Sequence, residues 1–400
     1  MNNRNTADIW VYSIASGTGL LTQVSLIRTQ GGMSQMLQTG GASLTFTPDS
    51  LFVVNGTVGS GEISQFTIDP STGNLSVLAP QVTAGGEPQT IVTDPYGQYA
   101  YVPQMASPGT IYGYNISNTS GLSYFTGNPF TSGNNPSWLT TDLSGSYLYA
   151  TMEADSTIWK YDLSTGVPGT GASAVGTQTG PDFIVTDPSG QYLITGASST
   201  NSMGINLGAI QSFKINLPQG TLFGVNTLTP GATSAKWIAV DPSGRFVYVA
   251  DPVLNFVWAL TLSNTGSLAV NTVNKGVFPG PDDDTPGPSS IVIEPSGKYL
   301  YATNQSMNMI FAFTIDPSTG VLTAVQTTMT QHQVANTDPS PVALAVDVSG
   351  QYLYCVNLGT SDSGTIDIFS IDLSTGFLTS VGSVGNQTAP GGLALTGTRY

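Results

Sequence analysis

Histidine and cysteine are almost absent from this chain of 400 residues, which contains one of each, His332 and Cys355. A zinc site of the usual kind needs several such ligands and a disulfide needs two cysteines, so the sequence predicts neither. Cys355 alternates with Tyr354 along an apolar segment. We therefore expect the Cys355 thiol to pack in a core.

Basic residues are also scarce, since nine Lys and Arg stand against 24 Asp and Glu, giving a net charge of -15. Such a surface repels phosphate groups, which argues against nucleic acid and against an anionic membrane as partners. No apolar run reaches the roughly 18–20 residues of a membrane-spanning helix. The expected partner is an unidentified protein or a small carbohydrate-like ligand, and no cofactor is predicted.

Helical periodicity is missing too, and the 47 glycines and 25 prolines favour short strands joined by tight turns. One sequence motif recurs along the chain: an acidic residue, a tight turn ending in Ser-Gly, a Gln, Lys or Arg, and then an aromatic residue two positions before a Tyr. Its fullest copies are Asp241–Asp251, Glu294–Asn304 and Asp347–Asn357. Looser copies of it begin at Thr47, Asp94, Asp142 and Asp187. A period of about 45 to 54 residues with strands inside it is typical of β-propeller blades. The sequence thus predicts an all-β fold in which residues 1–400 form a single β-propeller domain.

Each repeat is expected to form one blade of four antiparallel strands. In residues 341–382 the strands are predicted at 342–346, 351–356, 365–371 and 377–381. The turns at 347–350 and 372–376 carry Asp, Ser and Gly, which are ordinary turn residues. Because both short turns fall at the same end of the meander, they should share one face of the disc. The opposite face then collects the irregular loops, where functional residues usually lie.

Counting inner strands predicts eight blades, seven of them complete and one divided between the two ends of the chain. The divided blade lacks a recognisable second strand. We therefore expect Met1 to be an internal methionine of a longer chain, whose upstream part holds that strand and an export signal. The alternative is a ring of seven blades that closes without the end segments.

Short sequence motifs in the predicted second strands are similar to those of a known family. Phe52–Asn55, Tyr248–Asp251, Tyr301–Asn304 and Tyr354–Asn357 resemble the YVTN-type repeat. Together with the flanking turns, they resemble the lactonase or 6-phosphogluconolactonase-type β-propeller family over essentially the whole chain. The resemblance implies a propeller usually described as seven-bladed, and lactone hydrolysis. Enzyme-like members of that family carry His and Arg around the channel mouth. Here no histidine adjoins the prolines at the matching places, which are Pro88, Pro136, Pro181, Pro288, Pro341 and Pro390.

The best candidate binding site is the channel mouth on the irregular face. Equivalent positions at the start of three inner strands carry aromatic residues, beside which one cation and one carboxylate are predicted to lie. The alternative interpretation is a structural ion pair above aromatic residues that pack between blades. The predicted ligand-binding residues are Trp138, Asp182, Phe183, Lys236 and Trp237, to which Glu153 and Asp251 contribute from the ends of second strands.

Two further groups are weaker candidates. His332 is the candidate catalytic base, with Asp338 near it in the same connection, and the alternative is a solvated loop histidine. Asp282, Asp283 and Asp284 form a carboxylate cluster of the kind that attracts calcium, although their spacing does not match an EF-hand loop. A solvated acidic loop is the alternative there.

Two functions remain open on the sequence. The scarcity of His and Arg favours a non-catalytic scaffold that binds a ligand or protein through its loop-rich face. The alternative is a lactonase that hydrolyses a sugar lactone, as the resemblance implies. An upstream export signal would place the protein in the periplasm or outside the cell, and the alternative location is the cytoplasm.

Overall fold

The computed structural model describes residues 2–3, 8–28, 44–47, 50–55, 61–86, 88, 90–163, 165–169, 173–198, 208–229, 234–235, 237–273, 287–305, 307–329, 340–359, 364–387, 390–393 and 395. Within these ranges the chain consists of strands, turns and irregular connections, and no residue is helical. Accordingly, none of the described residues belongs to a helix that could cross a membrane.

Thirty-three strands in these ranges form eight antiparallel sheets, which we call blades 1 to 8. The chain begins in blade 8 with β1 (Asn2–Asn3), β2 (Asp8–Ile14) and β3 (Leu21–Arg28). Blade 1 contains β4 (Leu44–Thr47), β5 (Ser50–Asn55), β6 (Gly61–Ile68) and β7 (Leu75–Gly85). Blade 2 contains β8 (Val92–Thr93), β9 (Tyr99–Gln104), β10 (Thr110–Ser117), β11 (Gly121–Tyr124) and the extra strand β12 (Phe130–Thr131).

The next three blades follow the same order from inner to outer strand. Blade 3 contains β13 (Pro136–Thr141), β14 (Tyr147–Met152), β15 (Thr157–Asp162) and β16 (Ser173–Gly176). Blade 4 contains β17 (Pro181–Thr186), β18 (Tyr192–Ala197), β19 (Ala209–Asn216) and β20 (Thr221–Leu228). Blade 5 contains β21 (Trp237–Val240), β22 (Phe246–Asp251), β23 (Phe256–Leu262) and β24 (Leu268–Val273).

The remaining strands complete the ring. Blade 6 contains β25 (Ile291–Ile293), β26 (Tyr299–Asn304), β27 (Met309–Ile315) and β28 (Leu322–Met329). Blade 7 contains β29 (Pro341–Val346), β30 (Tyr352–Asn357), β31 (Gly364–Ile371) and β32 (Leu378–Gln387). The last strand, β33 (Pro390–Gly392), returns to blade 8.

The recurring acidic residue is confirmed as a turn residue. In blade 5 the Asp241 carboxylate accepts hydrogen bonds from the backbone amides of Ser243 at 3.0 Å, Arg245 at 2.8 Å and Phe246 at 2.7 Å. Gly244 closes the turn with a φ of 71°. A carboxylate that satisfies three backbone amides fixes the turn between the first and second strands.

The two stereotyped turns of the repeat lie on one face of the disc, as predicted. Arg245, in the first turn of blade 5, donates from Nη2 to the carbonyl of Pro317 at 2.7 Å. Pro317 lies in the third-to-fourth-strand turn of blade 6. The long connections between second and third strands and between blades therefore lie at the opposite end of the strands.

A tyrosine in the second strand links each of five blades to the next. In these blades its hydroxyl donates to the carbonyl of a turn glycine in the following blade. The links are Tyr101 to Gly166 at 2.6 Å, Tyr149 to Gly220 at 2.8 Å, Tyr248 to Gly320 at 2.9 Å, Tyr301 to Gly376 at 3.1 Å and Tyr354 to Gly19 at 3.1 Å. A buried phenol hydroxyl needs a hydrogen-bond partner. The tyrosine of the recurring motif therefore fixes the position of each of these blades against the next one, in addition to its place in its own strand.

Eight hydrophobic clusters lie between neighbouring blades, one for each adjacent pair around the ring. Ile9 of blade 8 packs with Val53 and Phe66 of blade 1, and Trp10 of blade 8 packs with Tyr354 and Ile368 of blade 7. Because blade 8 shares a cluster with both neighbours, it closes the ring. The eight-blade prediction, with one blade divided between the ends of the chain, is confirmed.

The second strand of blade 8 differs from the prediction. Its order is β3-β2-β1-β33, and Asn2 pairs with Ile9 of β2 on one side and with Gly392 of β33 on the other. The expectation that this blade lacks a second strand is therefore wrong, because the two residues of β1 occupy that position. Nothing in the composition of Asn2–Asn3 predicts a strand, and only the pairing with both neighbours produces it.

Candidate functional site

Three aromatic side chains form an arc across blades 3, 4 and 5 at the start of their inner strands. The rings of Trp138 and Phe183 have centroids 4.7 Å apart, and those of Phe183 and Trp237 are 5.5 Å apart. Both pairs are tilted, at 37° and 42° between ring planes. Trp138 and Trp237 are half-buried while Phe183 is buried between them. The equivalence of position deduced from the repeat therefore brings the three rings into contact.

Hydrogen bonds hold the two tryptophans in place. The indole Nε1 of Trp237 donates to the carbonyl of Ile291 in blade 6 at 3.0 Å. The backbone amide of Trp138 donates to Thr151 Oγ1 at 3.0 Å, and the neighbouring Ser137 hydroxyl donates to the carbonyl of Pro181 in blade 4 at 3.1 Å. The arc, which we define as Trp138, Phe183 and Trp237, is thus fixed to the frame of the ring and is preorganised for stacking.

Asp182 precedes Phe183 in β17 and is half-buried beside the arc. Lys236, predicted as its partner, lies outside the described residues, as do the catalytic candidates His332 and Asp338. The predicted pairing of Asp182 with Lys236 and the catalytic roles therefore stay predictions.

The two acidic residues at the ends of second strands differ in environment. Glu153 is half-buried in the loop that follows β14. Asp251 is fully buried, and its Oδ1 accepts from the amides of Val253 at 3.2 Å and Leu254 at 3.1 Å, while Trp258 Nε1 lies 3.4 Å from Oδ2. This geometry is that of a residue that holds the loop after β22. The ligand-binding role predicted for both residues stays a prediction.

The predicted calcium cluster, Asp282, Asp283 and Asp284, also lies outside the described residues. Among the residues that are described, no group of three or more His, Cys, Asp or Glu is arranged to hold a metal ion. The packing role predicted for Cys355 is confirmed, since its side chain is fully buried in the cluster between blades 6 and 7. Burial, with Asp367 nearby, raises the pKa of its thiol well above the usual value.

A buried polar cluster in blade 7 was not predicted. Asn357 Nδ2 donates to Thr365 Oγ1 and to Asp367 Oδ2, each at 2.9 Å, and all three side chains are buried. Asp367 lies in β31, the third strand of blade 7. The equivalent position in β27, the third strand of blade 6, is occupied by Phe311. A charged residue between two isoleucines of an alternating strand was the available signal, because such residues are rarely buried without a partner.

Threonine hydroxyls lie along the wall formed by the inner strands. Thr45 and Thr93 have their Oγ1 atoms 3.4 Å apart across blades 1 and 2, and Thr140 and Thr186 are 3.3 Å apart across blades 3 and 4. All four residues are half-buried. The inner strands are therefore polar but uncharged at these four positions, where the hydroxyls meet across neighbouring blades.

The closed ring of antiparallel blades defines a β-propeller, and the aromatic arc at the start of three inner strands is its candidate ligand site. Residues 2–122 and 238–391 match the family described as Lactonase, 7-bladed beta-propeller. The chain belongs to this family, from which its eight blades depart.

Curated relatives carry a specific name. A 6-phosphogluconolactonase of Cronobacter sakazakii is 29% identical over 156 residues, 38% of this chain and 43% of the relative. One of Yersinia pestis is 25% identical over 155 residues, 39% of this chain and 43% of the relative. The chain thus spans less than half the length of these relatives. These relatives are named as lactonases, and the comparisons give no support to the predicted non-catalytic scaffold.

Solved structures show the fold alone at their level of identity. The periplasmic gluconolactonase of Pseudomonas aeruginosa has a TM-score of 0.59 at 17% identity, covering 80% of this chain and 91% of its own. Sqt1 of Chaetomium thermophilum has a TM-score of 0.62 at 13% identity, covering 86% of each chain. Propellers with such different names share this frame, so function must be argued from the site.

Proposed function

We propose that this protein hydrolyses a carbohydrate lactone bound at the mouth of the channel on the loop-rich face. The observation that carries the proposal is the aromatic arc in a chain of the lactonase family. The half-buried rings of Trp138 and Trp237, tilted against Phe183 between them, offer an apolar surface about the size of a sugar ring. The lactone would lie against the arc with its hydroxyl groups toward the inner strands.

Lactone hydrolysis needs an activated water and a group that stabilises the oxyanion. On the sequence, we assign the base to His332, with Asp338 near it in the same connection, and the oxyanion contact to Lys236. Water attacks the carbonyl carbon and loses a proton to the base, the ring C–O bond breaks, and the leaving alkoxide takes up a proton. Asp182, beside Phe183, would position the substrate through its hydroxyl groups.

The charge of the chain supports an unphosphorylated substrate. Phosphate recognition usually uses clustered Arg and Lys, and nine such residues serve all 400 positions at a net charge of -15. We therefore propose a neutral sugar lactone, which distinguishes this chain from its relatives named 6-phosphogluconolactonase. An exported location fits this proposal, because sugar phosphates are kept inside cells.

The test is hydrolysis of glucono-δ-lactone, corrected for the spontaneous rate, with the 6-phosphate as the competing substrate. Trp138→Ala should lower kcat/KM by about tenfold, equivalent to about 1.4 kcal/mol of lost stacking. The matched control is Tyr96→Ala, an exposed aromatic residue in a stereotyped turn on the opposite face. His332→Ala should abolish turnover while leaving lactone binding in place.

The result that would overturn the proposal is a rate equal to the spontaneous one for both substrates. If lactone nevertheless bound and Trp138→Ala weakened it, the protein would be a binding propeller without catalysis. The single histidine of the chain favours that second function, because it offers only one candidate for a neutral-pH base of this type.

A further inference from the structure

The inner-strand position that carries the aromatic arc carries small residues elsewhere in the ring. Pairing with the second strand places Ala343 of blade 7 and Gly392 of blade 8 at the position of Phe183 in blade 4. The same position is Ser290 in blade 6 and Thr90 in blade 2. The mouth is therefore asymmetric, with rings on blades 3 to 5 and none in the other blades where this position is described.

The closed ring puts large and small residues opposite one another. In a ring of eight blades each blade faces the one four places further on, so blade 3 faces blade 7 and blade 4 faces blade 8. Trp138 consequently faces Ala343 across the channel, and Phe183 faces Gly392. The channel is thus wider beside blades 7 and 8 than it would be with an aromatic residue there.

The inner strand of blade 7 is open to solvent on this side. Residues 342–345 of β29 are all half-buried. In five other blades the residue equivalent to Leu344 is buried, at 3% exposure for Ile91, Leu139 and Ile291, 1% for Ile184 and 5% for Ile238. An inner strand borders only the channel and its neighbours in the ring. Solvent therefore reaches Leu344 from the channel, opposite the arc.

Uncharged hydrogen-bonding groups lie at the rim of the same sector. Gln305 Nε2 donates to Ser340 Oγ at 2.8 Å, and the Ser340 amide donates to Asn308 Oδ1 at 2.8 Å. These bonds hold Ser340 in the left-handed region, with a φ of 50°, directly before Pro341 of β29. Ser289 of blade 6 donates to the Pro341 carbonyl at 3.2 Å. Gln305, Ser340 and Ser289 are half-buried. Fixed hydroxyl and amide groups of this kind suit sugar hydroxyls, whereas phosphate recognition uses Arg and Lys.

We propose that the side of the mouth formed by blades 6 and 7 binds a second, neutral sugar unit attached to the lactone ring. The lactone ring itself lies on the arc, so this proposal rests on the proposed function. The second sugar occupies the room beside Ala343 and hydrogen-bonds to Gln305 and Ser340. The substrate class is then an aldonolactone that carries a further sugar, and Ala343 and Gln305 determine that specificity.

The probe is cellobiono-δ-lactone, which is glucono-δ-lactone with a glucose unit on its O4 atom. For the full chain its kcat/KM should exceed that of glucono-δ-lactone by about tenfold, because the second sugar adds contacts remote from the reacting carbonyl. Ala343→Trp fills the room for the second sugar and should lower the ratio of the two kcat/KM values by about tenfold. The matched control is Val348→Trp, in an exposed turn of the same blade on the opposite face, which should leave the ratio in place.

Gln305→Ala keeps the test valid if the tryptophan variant does not fold. Removing its amide should lower the same ratio by about three- to tenfold, and Gln351→Ala, at an exposed turn glutamine of blade 7, is its control.

Equal kcat/KM values for the two lactones would overturn this inference while leaving the proposed hydrolysis in place. A preference that neither Ala343→Trp nor Gln305→Ala lowers would do the same, because the second sugar would then bind elsewhere. Hydrolysis of neither lactone would overturn the proposed function, and this inference with it.

Discussion

Gly320 and Gly73 end the same Asp-x-Ser-Thr-Gly turn in two blades, yet alanine should affect them differently. Both glycines are in the left-handed region, with φ of 71° and 74°. At Gly320 a Cβ would come within 3.0 Å of the Phe246 ring, which is buried at 3% exposure. At Gly73 no described atom lies within 4 Å of it.

The expected loss of stability on changing these glycines to alanine has two contributions, backbone strain and steric contact. Left-handed alanine costs about 1–2 kcal/mol at either position. Forcing a methyl group against a packed ring adds about 1–3 kcal/mol at Gly320 alone. Gly320→Ala should therefore lower the free energy of unfolding by about 2–5 kcal/mol, and Gly73→Ala by about 1–2 kcal/mol.

Urea unfolding followed by tryptophan fluorescence measures both losses. Phe246→Leu in the Gly320→Ala background should recover part of the larger loss, because the shorter side chain leaves room for the methyl group. Equal losses at Gly73 and Gly320 would refute the reasoning, since turn strain alone would then account for both.

Two further predictions concern the links between blades and the turns. Gln326→Ala should lower the free energy of unfolding by about 2–4 kcal/mol, because the Gln326 side chain makes two hydrogen bonds to the next blade. Its Oε1 accepts from the Leu378 amide at 2.6 Å, and its Nε2 donates to the Leu378 carbonyl at 3.1 Å. Gln98→Ala, at an exposed glutamine, is the control, and equal losses for the two variants would contradict the prediction. Hydrogen bonds lower the pKa of Asp316 from 3.8 to about 2, and the bond that the Ser318 hydroxyl donates has the largest effect. Its stabilising contribution is thus present above pH 3.8 and lost as pH falls through 2. In thermal scans the Tm deficit of Asp316→Asn should shrink between pH 4 and pH 2, and a constant deficit would contradict this.

The fold followed from local signals because a propeller repeats them. The Asp241 turn, the Tyr248 strand and the turn glycine each depend on neighbours at a fixed distance in sequence, so seven copies could be identified from the chain alone. The β1 strand could not, because Asn2–Asn3 has no strand signal and forms only where β2 and β33 leave room for it.

Part of the candidate site could likewise be predicted from the sequence, and part could not. The aromatic arc was predictable because Trp138, Phe183 and Trp237 occupy one repeat position. The commitment of Asp251 to its own loop and the burial of Asp367 with Asn357 depend on hydrogen bonds between side chains and backbone that spacing does not specify.

By itself, the sequence determined the repeat, the turn chemistry, the family resemblance and the low basic charge, since each is written in residue type and spacing. The tertiary structure alone decided that β1 completes the eighth blade between β2 and β33 and that a cavity lined by Gly73 lies beside it. The physical reason is that closure depends on contacts between residues more than 300 positions apart, such as Tyr354 and Gly19, which no local pattern encodes.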